Sequence, residues 1–176
     1  MKYKTIVIDP PWNIPLKMSL PHGDIEQPYQ TMTNQQIRDF PINDYCDDNC
    51  DLFIWTTQSQ LKFTFELSEL WGFKYHCLMV WDKQDGLNVW GFRRTTEFIV
   101  YCYKGKTNRD FTKKNLPVLF SEHRKGHSQK PRKFYDLILK NTAEPRIDIF
   151  SRKKHIGFDS WGNQAEEPIT LEAFIE

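Results

Sequence analysis

The chain contains 176 residues, of which 39% are hydrophobic and 27% charged; this excludes a disordered or fibrous protein and predicts one domain over residues 1–176. No apolar run approaches the roughly 20 residues needed to cross a bilayer, and the N-terminus lacks a signal-peptide pattern, so we expect a cytoplasmic protein. The net charge of +1 is unevenly distributed, because residues 104–133 hold ten Lys or Arg against two acids. A polyanion partner or an ordinary solvated loop would each account for that segment.

Five short runs of apolar and β-branched residues predict strands buried on both faces, at residues 4–8, 51–56, 74–81, 97–103 and 146–150. Helix signals separate most of these runs, which predicts an α/β fold with a mostly parallel sheet and helices on both faces. No helix signal lies between the third and fourth runs. We therefore expect an antiparallel pair near one edge of the sheet, with an antiparallel edge strand.

Three helices are predicted from capping residues and apolar spacing: residues 34–39 after Thr33, residues 60–70 between Ser59 and Gly72, and a third from Ser128 or Pro131 to Lys140. The remaining stretches are predicted to be loops, at residues 13–30, 82–96 and 105–127. Loops of this length in compact domains are usually functional or disordered.

The first predicted strand runs directly into Asp9, Pro10, Pro11 and Trp12. Ligands of open α/β sheets bind beyond the carboxyl ends of the strands, and this turn lies at such an end. The prolines stiffen the turn and remove two backbone donors, so a carboxylate and carbonyls offer acceptors beside a flat indole. This arrangement fits a planar amino group that donates two hydrogens. A turn-capping Asp beside core prolines is the plainer alternative.

The Asp-Pro-Pro-Trp motif resembles that of the MT-A70 family of S-adenosylmethionine-dependent N6-adenine methyltransferases. The resemblance continues in order over residues 5–164, through PYQTM at 28–32, NQQIRDFPI at 34–42, DLFIWTTQSQL at 51–61, LWGFKYHCLMVWDK at 70–83, FRRTTEFIVYCYKG at 92–105, HSQKP at 127–131 and DIFSRKKHIGFDSWGNQ at 148–164. It implies a Rossmann-like methyltransferase fold with a permuted motif order, in which the methyl-acceptor motif precedes the cofactor strand. The Phe-x-Gly-x-Gly turn of related amino-methyltransferases is absent, as it is in MT-A70 members.

The resemblance also implies roles for individual residues. Asp9 and Pro10 would accept hydrogens from the target amine, within the rigid turn that Pro11 and Trp12 complete. The residues implied to hold S-adenosylmethionine are Asp9, Lys130, Arg152, His155, Asn163 and Gln164, with Lys130 suited to the carboxylate. Asp148 would support the sheet or contact this cofactor. The candidate substrate contacts are Trp12, Tyr29, Trp90, Glu97, Arg124, Lys125 and Arg132.

The implied reaction is in-line methyl transfer to the N6 amine of an adenine flipped out of DNA, with the basic segment following phosphates. The compact chain resembles bacterial or phage members of the family, which favours DNA and the cytoplasm of a bacterial or phage-infected cell. A homodimer or a second methyltransferase subunit is the expected protein partner.

Four alternatives stay open. The substrate could be RNA, or the chain could be a silent nucleic-acid-binding subunit, which an intact motif at 9–12 argues against. Methylation of glutamine amides in proteins is disfavoured, because related enzymes carry Asn where this chain has Asp9. We expect no metal, and reduced thiols at all four cysteines, of which Cys77 and Cys102 lie in strand-like runs. A zinc site would need Cys46 and Cys50 to meet His123 and His127.

Overall fold

A seven-stranded sheet organises the protein in the computed structural model, which describes residues 1–14, 30–89, 92–108, 115–123 and 129–162. The strands are β1 (Tyr3–Ile8), β2 (Cys46–Thr56), β3 (Lys74–Val89), β4 (Phe92–Lys104), β5 (Leu119–Ser121), β6 (Arg146–Ile149) and β7 (Asp159–Trp161). The helices are α1 (Asn34–Arg38), α2 (Ile42–Tyr45), α3 (Leu61–Leu70) and α4 (Arg132–Asn141). None of these helices is long and apolar enough to cross a membrane.

The strand order is β5-β3-β4-β2-β1-β6-β7, and all pairs are parallel except those of β4 with β2 and β3. The predicted mostly parallel sheet is therefore confirmed. The antiparallel strand lies third from one edge and not at the edge, because β5 adds a further parallel strand outside β3. β5, β7 and α2 were not predicted, since three or four residues are too short for a period to be recognised.

Helices cover both faces of the sheet, as predicted. The strand pleat sends Ile6, Leu52 and Ile54 to one face, where they form a core with Leu67 of α3 and with residues of α1 and α2. The opposite face carries a second core in which alternate strand residues pack against α4, among them Val7, Phe53, Trp55 and Phe134. Both cores reach the carboxyl end of β1, so the turn at 9–12 is held from two sides.

The helix ends confirm part of the capping predictions. Thr33 caps α1 in a reciprocal capping box with Gln36, and Gly72 follows α3 with a φ of 79°. Ser59 does not cap α3, because its hydroxyl pairs with that of Thr57 at 3.0 Å and Gln60 occupies the N-cap position. The third predicted helix is α4, which begins after its N-cap residue, Pro131.

Residues 82–96 are not a loop, because β3 and β4 continue through most of this stretch as a hairpin. The polar residues 82–85 and Gly86 gave no strand signal, yet the strands pair as far as Val89 and Phe92. Similarly, β5 occupies part of the predicted loop 105–127, and β2 begins at Cys46, five residues earlier than predicted. The hairpin carries two chain segments beyond the edge of the sheet at which the motif turn lies.

Candidate active site

The candidate active site lies at the carboxyl ends of β1 and β6. The first residue after β1 is Asp9, and its backbone N–H donates to the carbonyl of Ile149, the last residue of β6, at 3.2 Å. This bond continues the parallel pairing of the two strands by one residue. The carboxylate of Asp9 is therefore fixed at the position where open α/β sheets bind their ligands.

The turn after Asp9 is closed by its own backbone. The N–H of Trp12 donates to the carbonyl of Pro10 at 2.8 Å, and the N–H of Met32 donates to the carbonyl of Pro11 at 2.9 Å. Each proline carbonyl thus has one hydrogen bond already. The second lone pair of the Pro10 carbonyl is the one that a target amine would use.

Trp12 lies in the core in this structure and does not form an open stacking surface. Its ring is 5% exposed, contacts Phe63 edge to face, and donates from Nε1 to the carbonyl of Trp55 at 3.2 Å. It belongs to the core beneath α1, α2 and α3. The observed role of Trp12 is to anchor the turn, and base stacking by this ring stays a prediction.

Four charged side chains alternate in sign beside the turn. The ammonium of Lys130 lies 3.0 Å from Asp9 Oδ2 and 3.0 Å from Glu97 Oε2. The ammonium of Lys83 lies 3.2 Å from Glu97 Oε1. Lys130 also lies 4.7 Å from the centre of the Trp55 ring, within the range of a cation–π contact. These contacts form one charged network. It joins Asp9, directly after β1, through Lys130 to Glu97 of β4 and Lys83 of β3.

The network sets the charge of each member. Burial alone would lower the pKa of Lys130, but Asp9 and Glu97 raise it above its ordinary value, so the ammonium stays charged. Burial alone would raise the pKa of Glu97, but Lys130 and Lys83 bring it below its ordinary value. Burial raises the pKa of Asp9; Lys130 opposes this rise, and the charges of Glu97 and Asp148 add to it. Asp9 is therefore a better proton acceptor than a solvated Asp.

A cavity of about 230 Å³ opens beside Asp9 and Lys130. Its walls come from the segment before α4, from α4, from β6 and from the segment after β6, namely Gln129, Tyr135, Asp148, Phe150, Ser151, Arg152, Lys153 and His155. A second cavity of about 230 Å³ lies next to it. Its lining contains basic side chains, among them Arg132, Lys153 and Lys154.

Three residues form a hydrogen-bonded cluster in the wall of the first cavity. One oxygen of Asp148, Oδ2, accepts from the Tyr135 hydroxyl at 2.9 Å and lies 3.0 Å from His155 Nδ1. The rings of Tyr135 and His155 stack with centroids 3.5 Å apart, and burial and Asp148 raise the pKa of Tyr135 well above its ordinary value. Tyr135 was not predicted as a site residue. Asp148 had a visible signal, an acid within an apolar strand.

The structure brings Asp9, Lys130, Arg152 and His155 together around one cavity, with Glu97 beside them through Lys130. Arg132 lines the adjacent basic cavity. The other predicted contacts lie outside the described residues: Tyr29, Trp90, Arg124, Lys125, Asn163 and Gln164.

The described residues of the zinc alternative do not converge. Cys46 pairs with Tyr3 at the amino end of the sheet, whereas His123 lines the basic cavity with Lys130 at the carboxyl end. His127 lies outside the described residues, and in the part of the chain that is described no three potential ligands are close enough to hold a metal ion.

The cavity residues fit S-adenosylmethionine, which carries a carboxylate, two cationic groups and ribose hydroxyls. Lys130 would hold the carboxylate, and Asp9 would face a cationic group. Asp148 would accept from a hydroxyl through Oδ1, for which no hydrogen bond is described within residues 1–14, 30–89, 92–108, 115–123 and 129–162. Phe150 adds an apolar surface to the wall.

Comparison with known proteins agrees with this geometry. The MT-A70 family profile matches residues 3–164. The chain is 31% identical to the Type II methyltransferase M.MunI of Mycoplasma sp., over 92% of the chain and 77% of that protein. It is 27% identical to the probable N(6)-adenosine-methyltransferase MT-A70-like of Oryza sativa subsp. japonica, and 27% identical to the N(6)-adenosine-methyltransferase catalytic subunit METTL3 of Homo sapiens. These two alignments cover 93% and 94% of the chain but 23% and 28% of the relatives. The chain belongs to the MT-A70 family of N6-adenine methyltransferases, which use S-adenosylmethionine as the methyl donor.

Proposed function

We propose that this protein methylates the N6 amine of adenine in DNA, with Asp9 as the acceptor of the amine hydrogens. The observation that supports this most is the position of Lys130, which lines the cavity and lies 3.0 Å from both Asp9 and Glu97. Asp9 and Glu97 share the buried ammonium of Lys130, so hydrogen-bond acceptors and a positive charge lie side by side in the cavity wall. A flat base with an exocyclic amine is the ligand that such a point would orient.

S-adenosylmethionine supplies a methyl group on a positively charged sulfur, and the chain has to align the amine with that methyl. Asp9 and the Pro10 carbonyl accept the two amine hydrogens, which directs the nitrogen lone pair out of the base plane. As the N–C bond forms and the C–S bond breaks, positive charge develops on the nitrogen, and the Asp9 carboxylate stabilises it. Asp9 then takes the proton that the nitrogen loses, which its raised pKa favours.

The target adenine has to leave a duplex to reach this site, at a cost of a few kcal/mol in unstacking. The basic side chains that line the second cavity would contact the phosphates that flank the target adenine. They include Arg132, Lys153 and Lys154. Arg124 and Lys125 are also proposed to contact phosphates of the substrate. Tyr29 and Trp90 are proposed to contact the flipped base, and Asn163 and Gln164 the ribose of the methyl donor.

We propose DNA rather than RNA because of how much of each relative the chain matches. The alignment covers most of the bacterial Type II methyltransferase, whereas it covers about a quarter of the plant and human N(6)-adenosine-methyltransferases. By analogy with the bacterial relative, a cytoplasmic location is proposed for this protein. The human relative is described as a catalytic subunit, which keeps a homodimer or a second subunit as a proposed partner.

The experiment is transfer of labelled methyl from S-adenosylmethionine to sequence-matched DNA and RNA, each single- and double-stranded, followed by digestion to nucleosides. The expected result is labelled N6-methyladenine from DNA. Label that appears in RNA alone would replace DNA by RNA, and label in neither polymer, despite binding of the methyl donor, would favour the silent-subunit alternative.

A further inference from the structure

The end of the β3–β4 hairpin forms a separate arm. β4 pairs with β2 only as far as Phe98, opposite Thr56, and β3 pairs with β5 only as far as Asp82, opposite Ser121. Beyond these positions β3 and β4 pair with each other alone, up to Val89 and Phe92. We call residues 82–89 and 92–96 the hairpin arm. It is a two-stranded ribbon that leaves the sheet at the edge where Asp9 lies.

The root of the hairpin arm is joined to the active site by charge. Lys83, one residue into the arm, contacts Glu97, the residue that follows the arm, at 3.2 Å. The other oxygen of Glu97 lies 3.0 Å from Lys130, which contacts Asp9. The direction in which the arm leaves the sheet is therefore coupled to the position of the acceptor carboxylate.

The arm exposes positive charge. Arg93 and Arg94 are exposed, and no ion pair of either is described among residues 1–14, 30–89, 92–108, 115–123 and 129–162. Phe92 is 78% exposed beside them. The carboxylate of Asp82, at the root of the arm, already has a neighbouring hydrogen-bond partner, because Oδ1 accepts from the backbone N–H of Gln84 at 2.9 Å. Lys83, Arg93 and Arg94 stand against Asp82 and Asp85, which gives the arm a net charge of +1. The exposed positive charge is therefore that of the two arginines, next to an exposed aromatic ring.

Side chains alternate along a strand, so Arg93 lies on the same face of β4 as Glu97, about 13 Å away along the strand. That face is the one on which the catalytic network lies, since the α4-side core includes Ile99 and Tyr101 of the same strand. Arg94 and Phe92 lie on the other face of the ribbon. An elongated anion that lies across the active site would meet Arg93 on this face of the arm, and Arg94 would be reached from the other face.

The shape of the arm depends on Gly86. A Cβ atom on Gly86 would lie 2.0 Å from the carbonyl oxygen of Arg94, and two residues earlier Gln84 has a φ of 62°. The pairing register shifts between Asp82 and Leu87, so β3 contains a bulge opposite Thr95. Bulges twist a strand and direct it, and they are frequent next to active sites. This bulge fixes the direction in which the two arginines are presented.

We infer that the hairpin arm is a nucleic-acid contact, in which Arg93 and Arg94 bind backbone phosphates beside the target adenine and Phe92 packs against a base or sugar. A two-stranded ribbon fits the major groove of a duplex, and arginines suit phosphate recognition. The inference rests on the proposed function for its ligand, but binding can be measured without methyl transfer. It names residues of the contact that lie outside the basic segment 104–133.

The test compares the double variant Arg93→Ala/Arg94→Ala with the protein and with the matched control Lys2→Ala/Lys74→Ala. The control removes the same charge, from exposed residues at the opposite end of the sheet. The readout is the dissociation constant of a fluorescent adenine-containing DNA duplex over a series of salt concentrations. The association constant falls with salt, and each lost phosphate contact should make the slope of its logarithm against log salt less steep by about 1. The slope should therefore become less steep by about 2 in the arm variant and by about 0 in the control.

A second variant, Gly86→Val, keeps both arginines and displaces the arm; it should weaken duplex binding while affinity for S-adenosylmethionine is retained. Equal slopes and equal dissociation constants for the protein and the double variant would overturn the inference. It would also be overturned if the variant changed only the sedimentation of the protein, because the arm would then contact a second copy. Salt-sensitive binding through the arm without methyl transfer would leave the inference standing and reject the proposed function.

Discussion

Lys130 is the residue through which the charges of the site are coupled. Two of its three donors are directed at Asp9 and Glu97, which leaves one for the carboxylate of the methyl donor. Its position in the His-Ser-Gln-Lys-Pro motif identified Lys130 from the sequence. Its contact with Asp9 could not be predicted, because 121 positions separate the two residues and only the sheet topology brings them together.

Replacing Lys130 by Met should destabilise the protein by about 3 kcal/mol, because Asp9 and Glu97 would be left as neighbouring carboxylates without a cation. The loss should be larger at neutral pH, where both carboxylates are charged, than at acidic pH, where they take up protons. Urea unfolding at the two pH values measures this difference. Lys130→Arg, which keeps the charge, is the control, and an equal loss for Met at both pH values would contradict the assigned network.

Replacing Glu97 by Gln should move the acid limb of the methyl-transfer rate to lower pH. Activity needs an ionised Asp9 and is lost as pH falls through the pKa of that carboxyl. Burial raises this pKa and the charge of Glu97 adds to the rise, so removing that charge lowers it. Glu66→Gln, on the exposed side of α3, should leave the limb in place. A limb that stays fixed or moves to higher pH in Glu97→Gln would contradict the proposed role of Asp9.

At the scale of elements, α4 shows a cap that sequence reading missed. Pro131 has no side-chain cap, and Glu122 instead accepts from the backbone N–H groups of Arg132 and Lys133 at 3.2 and 3.0 Å. Thr33 could be predicted because its partner lies three residues away, whereas Glu122 lies ten residues before the helix. The hairpin was missed for a different reason, since its residues follow neither the apolar nor the alternating pattern of a buried strand.

Replacing Glu122 by Ala should lower the free energy of unfolding by about 1 kcal/mol, the usual loss for a helix N-cap. Because α4 carries Tyr135 into the cavity wall, affinity for S-adenosylmethionine should fall as well. Urea unfolding and calorimetric titration measure the two effects. Asp136→Ala, an exposed position on the same helix, is the control. Unchanged stability in Glu122→Ala would show that the cap contributes nothing.

At the scale of the whole molecule, the order of motifs and the near-continuous apolar strands were enough to predict the fold class. Those strands could be recognised in the sequence because both of their faces are buried, under α1 to α3 on one side and under α4 on the other. What the sequence could not supply was the convergence of the segments after β1, after β6 and before α4 on one cavity. That convergence follows from the position of β1 inside the sheet, between β2 and β6.

The most direct measurement is the single-turnover rate of methyl transfer to adenine by Asp9→Ala, with affinity for S-adenosylmethionine measured in parallel. The variant should fold, because Lys130 keeps Glu97 as a partner and the backbone bond of residue 9 to Ile149 does not need the carboxylate. The predicted result is a rate at least about 100-fold lower, with methyl-donor binding largely kept, and no change in the matched variant Asp44→Ala. A rate in Asp9→Ala equal to that of the unaltered protein would contradict the account.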